Sequence, residues 1–344
     1  MISQEAARTG GTDRPFKAAL TRLAQRREYG VGFLLAATLI AVSWKNPAFA
    51  SAANLSDLLV QCAPAVIVGC GLTFVIVTGE IDISVGSLLG LLAAVMGLAC
   101  SPQRANWPVV PTVLATLLAG TASGFLTGAL VTFGRAPSII ITLGMLTALR
   151  GLTELLMGGE WITDLPAGLR TLGTGSLLGI PISVLVAAVV VVGSALLAGR
   201  TALGLQIYAV GSNPEAARLA GLSIRRLRLF AFTLTGLLTA VAALVSVPQL
   251  SVIESGVGKG FELLVVTCVV VGGTSIRGGS GGILGTVLAV LLLGIVRTVL
   301  VFLKLGEMAT YWERAIQGGF VLAAVLADHL ARRSSAARAA GGQT

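Results

Sequence analysis

The chain has 344 residues, 55% of them hydrophobic and 11% charged, against about 25% charged in an average soluble domain. That is too little polar surface for one or two soluble domains, and apolar runs recur along the whole length, so the bilayer is the expected solvent. The net charge is +9, but the cations stand at the ends of apolar runs, a placement that orients membrane proteins and favours anionic lipid rather than nucleic acid.

In chain order, residues 1–29 form a basic arm carrying Arg8, Arg14, Lys17, Arg22, Arg26 and Arg27. No signal peptide is expected there, and the first apolar run reads as a retained signal anchor. Hydrocarbon is crossed by about 20 apolar residues in helical form. Ten segments qualify, near 30–47, 57–78, 84–101, 108–133, 137–157, 180–199, 229–250, 262–273, 282–303 and 311–329. An alternating barrel pattern is absent, so the predicted class is all-α, a polytopic membrane protein of about ten transmembrane helices. With ten spans both termini share a side. That side holds sixteen Lys and Arg and the opposite loops five, which places both termini in the cytoplasm.

Gly120, Gly124 and Gly128 recur every four residues in "GTASGFLTG" and predict a smooth helix face that a neighbouring backbone can approach. Cys62, Cys70, Cys100 and Cys268 lie in or beside apolar runs without metal spacing, and His329 is the single histidine. Metal or imidazole catalysis is therefore not expected.

Two apolar runs are interrupted, at "TGEIDISVG" (78–86) and "VVVGGTSIRGGSGGILG" (269–285). Broken segments in the two halves of a chain point to a mid-membrane solute site, although the predicted topology makes these two hairpins parallel. For the acids of the first break two readings stand. Asp82 or Ser84 can cap the helix that follows, or the acids can line a polar route, since charge inside a bilayer is costly and usually functional. Arg150 and Glu154, four residues apart, can satisfy each other on one helix face. Residues 199–228 read as the longest inside loop. Within it Asn213 is a good N-cap, Pro214 and Glu215 suit a first turn, and Gly221 suits a stop. A helix of about two turns outside the bilayer is predicted, with Ala216, Ala217 and Ala220 giving it a slim face for a partner's groove.

Together "TGEIDISVGS", "APSIIITLGMLTALRG", "YAVGSNPEAARLAGL" and "VVVGGTSIRGGSGGILGT" resemble the signatures of permease subunits of ribose-type ABC sugar importers, a family that includes xylose, rhamnose and autoinducer-2 permeases. The resemblance runs from about residue 30 to 329 and implies a type II ABC importer-like permease. It further implies a transmembrane permease domain over 30–329, a coupling loop at 199–228 and a cytoplasmic tail at 330–344. The implied partners are a cytoplasmic ABC ATPase, a periplasmic sugar-binding protein and a second permease subunit, with membrane lipid around them and no cofactor. The coupling role falls on Gly211, Asn213, Pro214, Glu215, Ala216, Ala217 and Gly221. A neutral sugar asks for hydroxyl and amide partners, and Thr78, Asp82, Ser84, Ser87, Thr142 and Thr274 are the candidates for its pathway. Glu160, Asp164, Glu254 and Lys259 are candidate rim charges for the binding protein. The sequence departs from the family pattern at Glu80, at "ELLV" (262–265) and at "VRTVLVFLKL" (296–305), so the solute stays open. No G-x-x-x-x-G-K-[ST] phosphate loop is present, so ATP is expected to be hydrolysed by a separate subunit. The alternative reading is an ATP-independent transporter or channel for a small polar solute.

Overall fold

A computed structural model describes residues 27–302 except Arg135, together with 308, 311–313, 315–320, 322–323 and 326. The basic arm up to Arg26, the tail, His329 and part of the last predicted span lie outside the described residues. The helices follow the hydropathy: α1 (Arg27–Lys45), α2 (Ala52–Val77), α3 (Val85–Cys100), α4 (Val109–Phe133), α5 (Ser138–Met157), α6 (Ala167–Thr174), α7 (Ile182–Arg200), α8 (Ala202–Ser212), α9 (Pro214–Leu219), α10 (Ile224–Ser246), α11 (Phe261–Val271) and α12 (Ile283–Phe302). Among the described residues six helices are long and apolar enough to cross a membrane, and α1, α3, α8 and α11 are shorter apolar ones. The chain is a polytopic helical membrane protein.

The centre of the bundle is α2. It is apolar on every side, the pattern of a helix surrounded by others, and from Cys62 to Val77 all its residues except Pro64 are buried. The peripheral helices expose what lipid accepts: Phe33, Ile40, Leu118, Leu155 and Val189 are each more than two-thirds exposed. The glycine stripe of α4 meets α10. A Cβ on Gly124 would stand 2.5 Å from the Phe232 carbonyl oxygen and 2.8 Å from the Gly236 Cα. Gly236 supplies the matching gap on α10, so two backbones touch where side chains would hold them apart.

Two ends can be defined, the lower where α2 finishes at Val77 and the upper where it starts. The upper loops bind one another. Ile162 and Ile253 exchange both backbone hydrogen bonds, at 3.1 and 2.8 Å. The Ser101 hydroxyl donates to both Asp164 carboxylate oxygens at 3.0 and 3.1 Å, and Arg104 pairs with Glu160. The stretch between the predicted spans 137–157 and 180–199 is not plain loop: it holds α6 and, with the first residues of the later span, a two-stranded hairpin, Ser176–Leu177 with Ile180–Pro181.

Three further differences from the sequence reading have physical causes. First, the expected inside loop 199–228 is mostly helix. In α8, Ile207 and Val210 are fully buried, and Thr201 caps its start by accepting from the Gly204 N–H at 3.1 Å. Eleven residues are too few to read as a span, yet they bury an apolar face against α2 and α7. The connection outside a long helix shrinks to 213–223. Second, residues 253–258, in the stretch left between the predicted spans 229–250 and 262–273, do not form a free loop. They run along α3, where Gly97, Gly90 and Gly86 face Ile253, Val257 and Gly258 in turn. Third, Arg150 forms no ion pair with Glu154. Its Nη1 donates to the Ser255 and Val257 carbonyls, each at 2.8 Å, which supplies partners to backbone that inserts between helices without a ladder of its own.

Candidate functional site

The helix Pro214–Leu219 is built by its caps. The Asn213 side chain accepts from the Ala216 N–H at 3.0 Å, and Pro214 opens the first turn with its fixed φ. At the other end Gly221 takes φ +83°. Its N–H donates to the Arg218 carbonyl and that of Leu222 to the Ala217 carbonyl, both at 3.0 Å. This pair of bonds is the Schellman closure, and it needs the left-handed residue that glycine supplies. Glu215 and Arg218 pair along the outer surface at 2.5 Å, and donating to the Glu215 carboxylate raises the Arg218 pKa above its already high value.

Only Ala217 of this helix is buried. Ala216 and Ala220 face out, with Glu215, Arg218 and Leu219 beside them. Leu219 is 78% exposed. The sequence reading named the alanines and missed this leucine, although "EAARLA" displays it.

The protrusion is tied to both breaks at the lower end. A Cβ on Gly211, the residue before Ser212, would collide with the Val77 carbonyl oxygen and would stand 2.5 Å from the Gly279 nitrogen. The Gly279 N–H itself donates to the Val77 carbonyl at 2.9 Å. The Ser212 hydroxyl donates to the Gly279 carbonyl at 3.4 Å, and the Tyr208 hydroxyl to the Gly281 carbonyl at 2.9 Å. Four stretches, 77–79, 208, 211–212 and 278–281, therefore converge directly above the helix.

The predicted pathway residues are all buried: Thr78, Asp82, Ser84, Ser87, Thr142 and Thr274 are each 3% exposed or less. Four of them share a neighbourhood or an interaction around the first break. Asp82 Oδ1 accepts from the Ser84 N–H at 2.8 Å and from the Ser84 hydroxyl at 2.7 Å, folding the turn that starts α3. The Ile81 N–H donates to Ser138 Oγ at 3.1 Å and its carbonyl accepts from the Thr142 hydroxyl at 3.3 Å, so α5 holds the segment from the side. Thr78 bonds locally to the Val75 carbonyl at 2.7 Å. Thr274 lies on the other break, and its hydroxyl is buried with no partner among the described residues. Glu80, one of the departures from the family pattern, is answered by Arg228 in the second turn of α10 at 2.9 Å. That partner is 148 positions away and carries no sequence signal.

Two of the shorter apolar helices, α3 and α11, start beside each other inside the bundle. A Cβ on Gly86, in the first turn of α3, would stand 2.6 Å from the Gly258 carbonyl oxygen and would collide with the Glu262 carboxylate in the first turn of α11. Arg150 approaches Gly90 within 3.0 Å of the same kind of position, and Arg150 stands roughly 18 Å along α5 from Ser138 at 1.5 Å per residue. Each short helix is entered by an irregular segment, 78–84 from below and 250–260 from above, and the two run in opposite directions. The inverted pair suited to a mid-membrane solute site is thus α3 with α11. The two breaks visible in the sequence, 78–86 and 269–285, instead lie together at the lower end. Glu262 Oε1 accepts from the Gly260 N–H at 3.2 Å, while its Oε2 is buried without a partner among the described residues. Glu262 and Arg150 stand beside the starts of α11 and α3, and neither is in the pathway set expected from the sequence. Of the proposed rim charges, Glu160 and Asp164 are engaged within the chain, and Glu254 and Lys259 are exposed.

Comparison with known proteins agrees with this architecture. The chain is 39% identical over 264 residues to an autoinducer 2 import system permease protein of Yersinia enterocolitica, covering 76% of this chain and 71% of the relative. It is 35% identical over 302 residues to a ribose import permease protein of Haemophilus influenzae, covering 86% and 92%. No solved structure matches it significantly. Residues 54–325 match the family described as the branched-chain amino acid transport system / permease component, and the chain belongs to that family of transport permeases.

Proposed function

We propose that this chain is the pathway-forming membrane subunit of an ATP-driven importer for a small neutral sugar, a pentose or hexose, delivered by a periplasmic binding protein. It transports and does not hydrolyse ATP. The relatives, named for import of ribose and of autoinducer 2, support the solute class. A cytoplasmic ATPase grips the 213–221 protrusion, and a second permease subunit, identical or related, completes the route. The lower end faces the cytoplasm. Arg200, Arg218, Arg225, Arg226, Arg228 and Arg277 cluster there, in keeping with the positive-inside bias.

One observation carries this reading: the seating of Gly211 and Ser212 against Val77 and Gly279. A displacement of the protrusion is passed through packed backbone to the ends of α2 and α11. The test is co-purification with a candidate ATPase subunit. Glu215→Arg places like charge beside Arg218 and is expected to abolish ATPase association while the chain still inserts and melts as the parent does. Undiminished association, or sugar uptake by the lone chain in ATP-free vesicles, would contradict the proposal.

A further inference from the structure

A polar cleft opens on the upper half of the bundle between the start of α2 and the end of α12, on the far side from the protrusion. It measures about 470 Å³, and its lining includes Asn54, Asp57, Gln61, Arg297, Thr298 and Phe302. The volume falls in the range of roughly 300–1,000 Å³ that small-molecule sites occupy. Asn54, Asp57 and Gln61 are spaced to fall on one face of α2, a helix that is otherwise almost wholly apolar. Arg297 stands roughly 20 Å along α12 from its start at 1.5 Å per residue, inside a span of mean hydropathy 2.4. Its side chain is 66% exposed. A guanidinium at that depth facing lipid is costly, and such residues face water-filled cavities or bundle interiors.

We infer that this cleft is a binding site for a neutral polyhydroxylated solute, lying on its route and separate from the lower junction. The inference rests on the importer reading and gives its solute a binding site. The hydrogen-bonding capacity is open: Asp57, Gln61 and Thr298 use none of their side-chain donors or acceptors on the described residues. Asn54 spends its amide on the Phe49 carbonyl at 2.7 Å. The charges argue for neutrality. Arg297 is already faced by Glu313 at 4.0 Å, and Asp57 adds a second carboxylate, so the lining does not favour a phosphate or carboxylate group. A carboxylate, an amide, a hydroxyl and a guanidinium together offer acceptors and donors to several hydroxyls at once. Phe302, packed edge-on against Phe49 with centroids 5.4 Å apart, gives an apolar surface for the C–H face of a ring.

The test is solute protection of an engineered thiol. The four native cysteines are buried, so Thr298→Cys in the full chain, in lipid nanodiscs, reports the cleft. A membrane-impermeant maleimide is expected to label it. Millimolar ribose, xylose, glucose or galactose, at least one of the four, is expected to slow labelling, and ribose 5-phosphate is not. Adding Asp57→Asn should weaken protection about tenfold, through loss of a charged acceptor, without changing labelling in the absence of sugar. No labelling would place this face against lipid or protein and overturn the inference. Protection by none of the four sugars, protection by the phosphorylated sugar alone, or protection indifferent to Asp57→Asn would overturn it equally. ATPase co-purification on the same preparations separates the outcomes, because the importer reading fails there and this inference fails at residue 298.

Discussion

Residues 78–84 and 272–282 both carry the chain out of one apolar helix and into the next, and they meet at the Val77–Gly279 hydrogen bond. They are held by different chemistry. The first is fastened by side chains: Asp82 on Ser84, Ser138 and Thr142 on Ile81, Glu80 on Arg228. The second contributes mainly backbone, its carbonyls accepting from the Tyr208 and Ser212 hydroxyls. Gly273, Gly278, Gly279 and Gly281 take positive φ, and the Ser275 N–H donates to the Ser280 carbonyl at 2.9 Å. A segment secured by side chains can be weakened in steps by changing one acceptor at a time. A segment secured by close backbone contact fails when any atom is added. The contrast predicts a ranking of substitutions by mechanism.

The largest effect is expected where the two segments meet α8. Gly211→Val puts a branched side chain against the Val77 carbonyl and the Gly279 nitrogen, neither of which can yield like a side chain. Destabilisation of about 3 kcal/mol is expected from overpacking, read as a lowered melting midpoint in detergent and loss of the monodisperse fraction. A melt unchanged from the parent would show that the contact is not tight. In the first break, Asp82→Ala leaves the Ser84 N–H and hydroxyl buried without their acceptor, at about 1–3 kcal/mol. Asp82→Asn keeps an oxygen in place and should recover at least half of that loss. Equal melts for the two variants would mean that Asp82 acts through its charge rather than as a turn acceptor.

The Glu80–Arg228 pair is partly screened, so a smaller coupling is expected, of about 1 kcal/mol. The measurement is a double-mutant cycle of Glu80→Gln and Arg228→Gln, and additive effects would remove the pair as a link between the break and α10. Smallest is Asn213→Ala, at about 1 kcal/mol confined to one short helix. Global melting should hardly move, while the amide of Ala216 loses hydrogen-exchange protection. Its ATPase association should weaken less than that of Glu215→Arg, because the cap shapes the protrusion and Glu215 stands on its surface.

Parts of this site were open to sequence reading in proportion to how local their physics is. The caps Asn213 and Gly221 were legible because a cap acts on residues two to four positions away. The role of Asp82 was legible only in part: the sequence offered Asp82 or Ser84 as a cap of α3, whereas Ser84 makes no side-chain capping bond and Asp82 bonds to Ser84 itself in the turn before the helix. Leu219 was visible but unremarkable until its exposure was known. The partners of Glu80, Arg150 and Gly211 were not legible, since each lies on a distant stretch of chain and none has a periodic signature.

The order, approximate length and helical nature of the spans were determined by the sequence alone, because in hydrocarbon each helix must satisfy its own backbone and twenty apolar residues suffice to do so. The glycine spacing on α4 likewise announced a close contact, though not that Gly236 of α10 would fill it. Only the tertiary structure decided that 253–258 inserts along α3, that α3 and α11 begin side by side in opposite directions, and that Asp57 and Arg297 share a cleft. Those are relations between surfaces, set by which small residues let which backbones approach, and hydropathy along one chain does not encode them.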